Sequence, residues 1–294
     1  MPLTASAPSP LLADLSPRYA RLLSTCEPYL VTSRENLGAL ELAPFGVEVT
    51  EGRVYEPTRL RSRRVIDGLH HLDGVCFGDQ SMLMPRWVLF DCGEFPGVVF
   101  GFGREARALP VDLRRAYRVE GVEDDEVFVP LSMWVALRCA EEGAWFGHNL
   151  SSANLVAEQE PLPGLGLLTK AVGVRLTRAT RQYGATQWGS SSLNVHLALG
   201  DMRLLGAWTP AHTHPETFVY AIDVEAERLV APLRSGWSRP VAGGERFVDA
   251  GDEAAIQALH GELEDGASVW LHRVERREAG GQRLWLREAG AAAP

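Results

Sequence analysis

The sequence predicts an α+β protein that is mainly β, with antiparallel barrel- or sandwich-like sheets and few helices. Three observations carry this expectation. Short apolar runs lie between Gly and Pro punctuation, several of them alternate with period two, and helical periodicity is scarce beyond residue 25. Many short strands joined by tight turns point to antiparallel sheets rather than to a doubly wound parallel one.

Residues 1–15 form a segment expected to be mobile, its first ten positions rich in Ala, Ser and Pro. Ser16-Pro17 then reads as an N-cap followed by a proline in the first helical turn, and Tyr19, Leu22 and Leu23 supply an apolar face, so a helix is predicted over 16–25. Strands are predicted at Trp87–Phe90, Val98–Phe102, Val127–Leu137, Leu193–Leu199, Phe218–Val224 and Val269–Val274. In Leu193–Leu199 the leucines and Val195 alternate with Asn194 and His196. The polar, proline-bearing stretch 158–164 separates a β-rich half at 16–158 from another at 164–288, either as two domains or as halves of one. No fixed-period repeat is present, and residues 289–294 read as a frayed tail.

A chain of 294 residues is long enough to bury a large core without disulfide or metal staples. Its 46% hydrophobic and 23% charged residues exclude a disordered or fibrous protein. A formal net charge of −9, with the one basic run at Arg59–Arg64, disfavours nucleic acid as a partner. No run reaches the length of a membrane span, and the N-terminus lacks the pattern of a signal peptide. Cys26, Cys76, Cys92 and Cys139 form no Cys-x-x-Cys pair. The expected setting is cytoplasmic, with a small-molecule ligand, no membrane and no nucleic acid; a homo-oligomer is compatible with this.

Of 29 Lys and Arg residues only Lys170 is a lysine. Arg replaces Lys wherever charge alone is needed, but not as an imine-forming nucleophile or a titratable base. Lys170 lies in 164–174, a stretch with no other charge, where loss of hydration lowers an amine's pKa and makes it a nucleophile. Asp91 and Glu94, after the run Trp87–Phe90, are candidate acid partners, and His148 in Trp145–Asn149 is a candidate orienting group.

Gly103-Arg104-Glu105 with Pro110, after the run Val98–Phe102, resembles the Gly-Arg-Glu…Pro signature of the acetoacetate decarboxylase-like superfamily. The resemblance covers about a dozen residues. It implies a largely β-stranded fold and a buried lysine that forms an imine with a keto acid, with Arg104 and Glu105 at the site. In that family the lysine follows the proline directly; here Val111 and Asp112 stand there, and Lys170 would have to substitute from another element.

Thr209–Glu216 is the densest run of metal-ligating side chains. On a strand, His212 and His214 point to one face and can reach one metal. With Gly206 before it and Gly251-Asp252-Glu253 through His260 beyond it, the run is similar to the His-x-His motif of cupins. That resemblance implies a first-row transition metal on His212, His214 and His260. A proline-punctuated turn bearing two exposed histidines is the plainer alternative.

Three functions follow. The first is a cofactor-free enzyme acting on a carbonyl or keto-acid substrate through Lys170. The second is a cupin-like metal enzyme. The third is a non-catalytic β scaffold binding a ligand or partner. No Ser lies in a Gly-x-Ser-x-Gly elbow, and the segments 183–188 and Ser190–Ser192 read as a pocket rim or a polar turn.

Overall fold

A computed structural model describes residues 14–78, 83–121, 127–206, 217–238, 246–277 and 280–288. The chain divides into two compact units, residues 1–179 with 233–236, and residues 180–232 with 237–294.

The first unit contains α1 (Pro17–Thr25), β1 (Glu27–Val31), α2 (Arg34–Leu37), β2 (Val54–Tyr55), α3 (Arg63–Phe77), α4 (Arg86–Glu94), β3 (Gly97–Glu105), α5 (Val111–Ala116), β4 (Phe128–Pro130), β5 (Ser132–Arg138), β6 (Ala144–Ser152) and α6 (Leu165–Leu176). Its strands run in the order β6-β5-β3-β1-β2, with β4 on the far end of β3. All these pairs are antiparallel except β1 with β2.

Side-chain alternation sorts the helices onto the two faces of this sheet. Val31 meets α4 at Gly93, and Asn149, opposite Val135, bonds Asp73 on α3. Trp134 and Phe100 instead meet Gly173 of α6, and the Ser132 and Thr169 hydroxyls are 2.6 Å apart. Helices α3 and α4 therefore cover one face and α6 the other. Phe100, Trp134 and Leu168 are buried at the seam of sheet and α6.

The second unit contains β7 (Arg181–Gln187), α7 (Leu193–Ala198), β8 (Met202–Gly206), β9 (Thr217–Asp223), α8 (Ala226–Val230), β10 (Arg246–Asp249), α9 (Glu253–Glu264), β11 (Val269–Arg276) and β12 (Gln282–Glu288). Its antiparallel strands run β10-β12-β11-β8-β9-β7. One face of this sheet (Leu204, Phe218, Tyr220, Leu271, Leu284) packs on Leu193 and Leu197 of α7 and on Ile256 and Leu259 of α9.

The expected mainly β fold with few helices is therefore corrected to a mixed architecture, with nine α-helices and twelve strands among the described residues. The helix predicted at 16–25 is α1, and the strands predicted at Val98–Phe102, Phe218–Val224 and Val269–Val274 lie on β3, β9 and β11. Val127–Leu137 is two strands, because Leu131 donates its N–H to Phe102 between β4 and β5, and both pair with β3.

Two predicted strands are helices. Trp87–Phe90 lies in α4, which starts after Pro85 and buries Leu89, Cys92 and Gly93. Leu193–Leu199 is α7 with its C-cap Leu199, burying Leu193, His196 and Leu197. Its apolar positions satisfy both period two and the i, i+3, i+4 spacing, and packing decides for the helix. Helix α6 carries no amphipathic stripe because it is buried on nearly every side, from Leu168 through Val174.

Candidate functional site

The first unit places the start of α6 directly after β6 and a pinned connector. Strand β6 carries a bulge at His148, since Val135 pairs with Asn149 and Ala136 with Gly147. Past Ser152 the chain is held at successive points. Asn154 Oδ1 accepts from Leu162 N at 2.9 Å. Asp112 Oδ2 accepts from Glu158 N at 2.7 Å and Gln159 N at 2.8 Å, and these backbone bonds lower its pKa against the opposing desolvation. Glu160 takes both arms of Arg104, and Arg21 donates to Pro161 O at 2.6 Å.

The helix then begins at Gly164, whose φ of +87° is a left-handed conformation suited to glycine. A Cβ at this position would also lie 2.8 Å from Tyr19 Cε1 and 3.2 Å from Arg18 Nε. Gly166 is open, its nearest neighbour for an added Cβ being the Ser152 side chain at 3.8 Å. In the first turn, Leu165 N bonds to Leu162 O and Leu168 N to Gly164 O. The N–H groups of Gly166 and Leu167 have no carbonyl to meet within the helix, as at every helix start.

The local charge favours an anion. The positive end of the α6 dipole coincides with the exposed Arg18 and Arg21 of α1. Arg18 lies 4.4 Å over the Tyr19 ring and donates to its hydroxyl at 2.8 Å. The nearby carboxylate of Glu160 is neutralised by Arg104, whose hydrogen bonds hold it below its ordinary pKa. A half-exposed Gly-x-Gly turn at a helix start, with free amides and two arginines, is suited to the oxygens of a phosphate or carboxylate.

A second polar cluster lies on the opposite face, between α3 and β6. Asp73, fully buried, accepts from Met84 N at 2.7 Å and from Asn149 Nδ2 at 2.6 Å. Burial raises its pKa, against the lowering effect of those bonds. The Cys76 thiol, also pushed up by burial, donates to Ser152 O at 3.5 Å. Ser152 thus touches α3 through its carbonyl and lies beside Gly166 of α6 through its side chain. The sequence reading missed Asp73, Asn149 as its partner, and the Gly164-Leu165-Gly166 turn that starts α6. The Gly-x-Gly before an apolar run was the available signal, but without a predicted helix it had no context.

The residues proposed for imine chemistry do not converge. Lys170 is 1% exposed on α6, its pKa driven well down by burial. Asp91 and Glu94 are on α4, across the sheet. Arg104 is 5% exposed and spends its guanidinium on Glu160, on the Thr25 hydroxyl at 2.9 Å and on the Cys26 sulfur at 3.4 Å. Glu105 pairs with Arg53. His148 is exposed at the bulge, edge-on to Phe146 at 6.5 Å between ring centroids. The Gly-Arg-Glu run that resembles the decarboxylase signature thus closes a strand and anchors the connector. The reading is corrected: the fold is mixed rather than largely β-stranded, and the residues that reading joined lie on separate elements with other partners.

The cupin-like reading is corrected as well. His212 and His214 lie outside the described residues. The segment taken for the second motif is the start of α9, where Asp252 caps the helix by accepting from Ala255 N at 3.0 Å. His260 packs on that helix against Trp188, 5.6 Å between ring centroids, and burial lowers its pKa. Among the described residues, no group of three His, Cys, Asp or Glu side chains is placed to hold a metal. The third reading's tryptophans divide: Trp134 and Trp188 are core, whereas Trp87 is 65% exposed.

No helix among the described residues is long and apolar enough to cross a membrane. No protein-family model and no curated protein matches the sequence. Solved structures similar to the chain include two acetyltransferases and the NatC complex. The NatC complex bound to Gag peptide and CoA is 11% identical over 57% of this chain and 96% of its own, with a TM-score of 0.37. A Bacillus subtilis acetyltransferase in complex with CoA is 11% identical over 54% of this chain and 93% of its own, with a TM-score of 0.33. The diaminobutyrate acetyltransferase of Paenibacillus lautus, in complex with L-2,4-diaminobutyric acid and coenzyme A, is 11% identical over 54% and 89%, with a TM-score of 0.33. These values assign the chain to no family.

Proposed function

We propose that the first unit binds the phosphates of an acyl-coenzyme A at the start of α6, and that the protein transfers the acyl group to a small nucleophilic acceptor. The observation that carries this reading is the Gly164-Leu165-Gly166 turn between β6 and α6, flanked by Arg18 and Arg21. Absence of a side chain at Gly166 leaves the backbone there open to a phosphate, whereas the space beside Gly164 is filled by Tyr19 and Arg18; the amides and arginines offset the phosphate charge.

The residues present fit such a group. The amides of Gly166 and Leu167 would take phosphate oxygens, with Arg18 and Arg21 at the rim. When bound, coenzyme A supplies an acyl group activated as a thioester. The chain's own part is positional: Asp112, Asn154 and Arg104 hold the connector so that the turn is formed before the ligand arrives, which lowers the cost of binding.

Titration calorimetry with coenzyme A and with adenosine 3′,5′-bisphosphate tests the reading. Binding of both is expected, weakened about tenfold or more by Arg18→Glu with Arg21→Glu and by Gly166→Val. Failure of coenzyme A and acetyl-coenzyme A to bind the unaltered protein would overturn it. Release of free thiol from acetyl-coenzyme A on addition of primary amines then tests the transfer step.

A further inference from the structure

The second unit holds a serine–histidine contact that the reading above does not use. Ser192 precedes α7 at the N-cap position, yet its side chain makes no cap hydrogen bond to the helix. A capping serine ordinarily accepts from an N–H of the first turn. Here its Oγ lies 3.2 Å from His196 Nε2 and 2.7 Å from Ser190 Oγ.

The imidazole is held in place. His196 is 7% exposed, and its ring lies 5.3 Å from that of the buried Tyr220. Ser190 is held too: its N–H bonds to Gln187 O at 3.1 Å, and its Oγ accepts from Ser192 N at 3.2 Å. The contacts admit a proton chain in either direction; in the direction that serves catalysis, Ser190 donates its hydroxyl proton to Ser192 Oγ and Ser192 donates its own to an unprotonated His196 Nε2. Both serines are half-buried, so Ser192 Oγ lies where surface and base meet.

A hydroxyl within hydrogen-bond reach of an imidazole that can take its proton is the nucleophile–base pair of serine chemistry. We propose that Ser192 is a covalent acceptor for activated acyl groups, esters or thioesters, with His196 as its base. Ser192 Oγ bonds to the acyl carbon as the bond from that carbon to the leaving oxygen or sulfur breaks. The hydroxyl proton passes to His196 Nε2 and from there to the leaving alkoxide or thiolate. Ser190 steadies the developing charge on Ser192 Oγ. The proposal does not rest on coenzyme A binding in the first unit.

The test uses the full chain with a fluorophosphonate probe and with p-nitrophenyl acetate, the site of attachment read by peptide mass spectrometry. With the fluorophosphonate, an oxygen–phosphorus bond forms, fluoride leaves and the proton goes to His196. The expected result is one adduct, on Ser192, absent in Ser192→Ala and formed about a hundredfold more slowly in His196→Gln. No adduct, an adduct on any other residue, or an unchanged rate in His196→Gln would overturn the proposal. Should His196→Gln fail to fold, Ser190→Ala decides: slower labelling supports the assignment, and an unchanged rate overturns it.

Discussion

Arg104 at the end of β3 holds Glu160 in the connector before α6 by two hydrogen bonds, 2.8 and 2.9 Å long. The pair joins positions 56 residues apart and sets where the connector turns toward Gly164. Arg104 is 5% exposed and Glu160 31%, so the ion pair is buried on one side only.

Loss of the carboxylate leaves a buried guanidinium short of its main partner. Glu160→Gln is expected to lower stability by about 1–3 kcal/mol, less than for a fully buried pair because water reaches the glutamate. The Arg104 bonds depress the folded-state pKa of Glu160. The pair therefore contributes fully above the unfolded carboxylate pKa, and the contribution is lost as pH falls through the lower folded value. Urea unfolding at pH 7 and near pH 3 should show the gap between wild type and variant narrowing with acid.

Lys170→Arg is expected to cost more than Lys170→Met, by several kcal/mol. Burial is the reason: lysine can shed its proton, whereas arginine must carry a charge into the space beside α6. The folded-state pKa lies below the unfolded one, so the folded chain binds fewer protons and wild-type stability rises between pH 7 and 9. Denaturation of Lys170→Met over that range should show a flatter slope.

Gly173 faces Trp134, and a Cβ there would lie 2.5 Å from Trp134 Cε3. Gly173→Ala should therefore destabilise by about 1–3 kcal/mol although alanine is the better helix former. A lower thermal midpoint checks this; an unchanged or higher one would mean that Trp134 yields freely.

Asp73 is raised in pKa by burial, so the folded state favours its protonated form. That contribution is present below the unfolded pKa and fades as pH rises through the folded value. Asp73→Asn keeps a neutral side chain, and Asn149 can turn its amide to restore their mutual bond. The variant is expected to gain on wild type between pH 4 and pH 8, read as a shift in urea midpoint.

The sequence by itself determined the first helix, five of the twelve described strands and the absence of a long apolar span. These are local properties: Ser16-Pro17 starts α1, and the apolar runs of β3, β9 and β11 are legible because neighbouring residues impose them. Lys170 was legible as an anomaly, and burial is what distinguishes it. Tertiary structure alone decided the rest. Helix α6 could not be read because packing on both sides erases its polar face, and α7 because six residues satisfy two periods at once. The candidate site was hidden for the same reason: the Gly164-Leu165-Gly166 turn exists only once α6 does, and Arg18, Arg104 and Asp112 come to it and its connector from distant stretches of chain. Such long-range pairs follow from strand order and register, and those are set by the whole core.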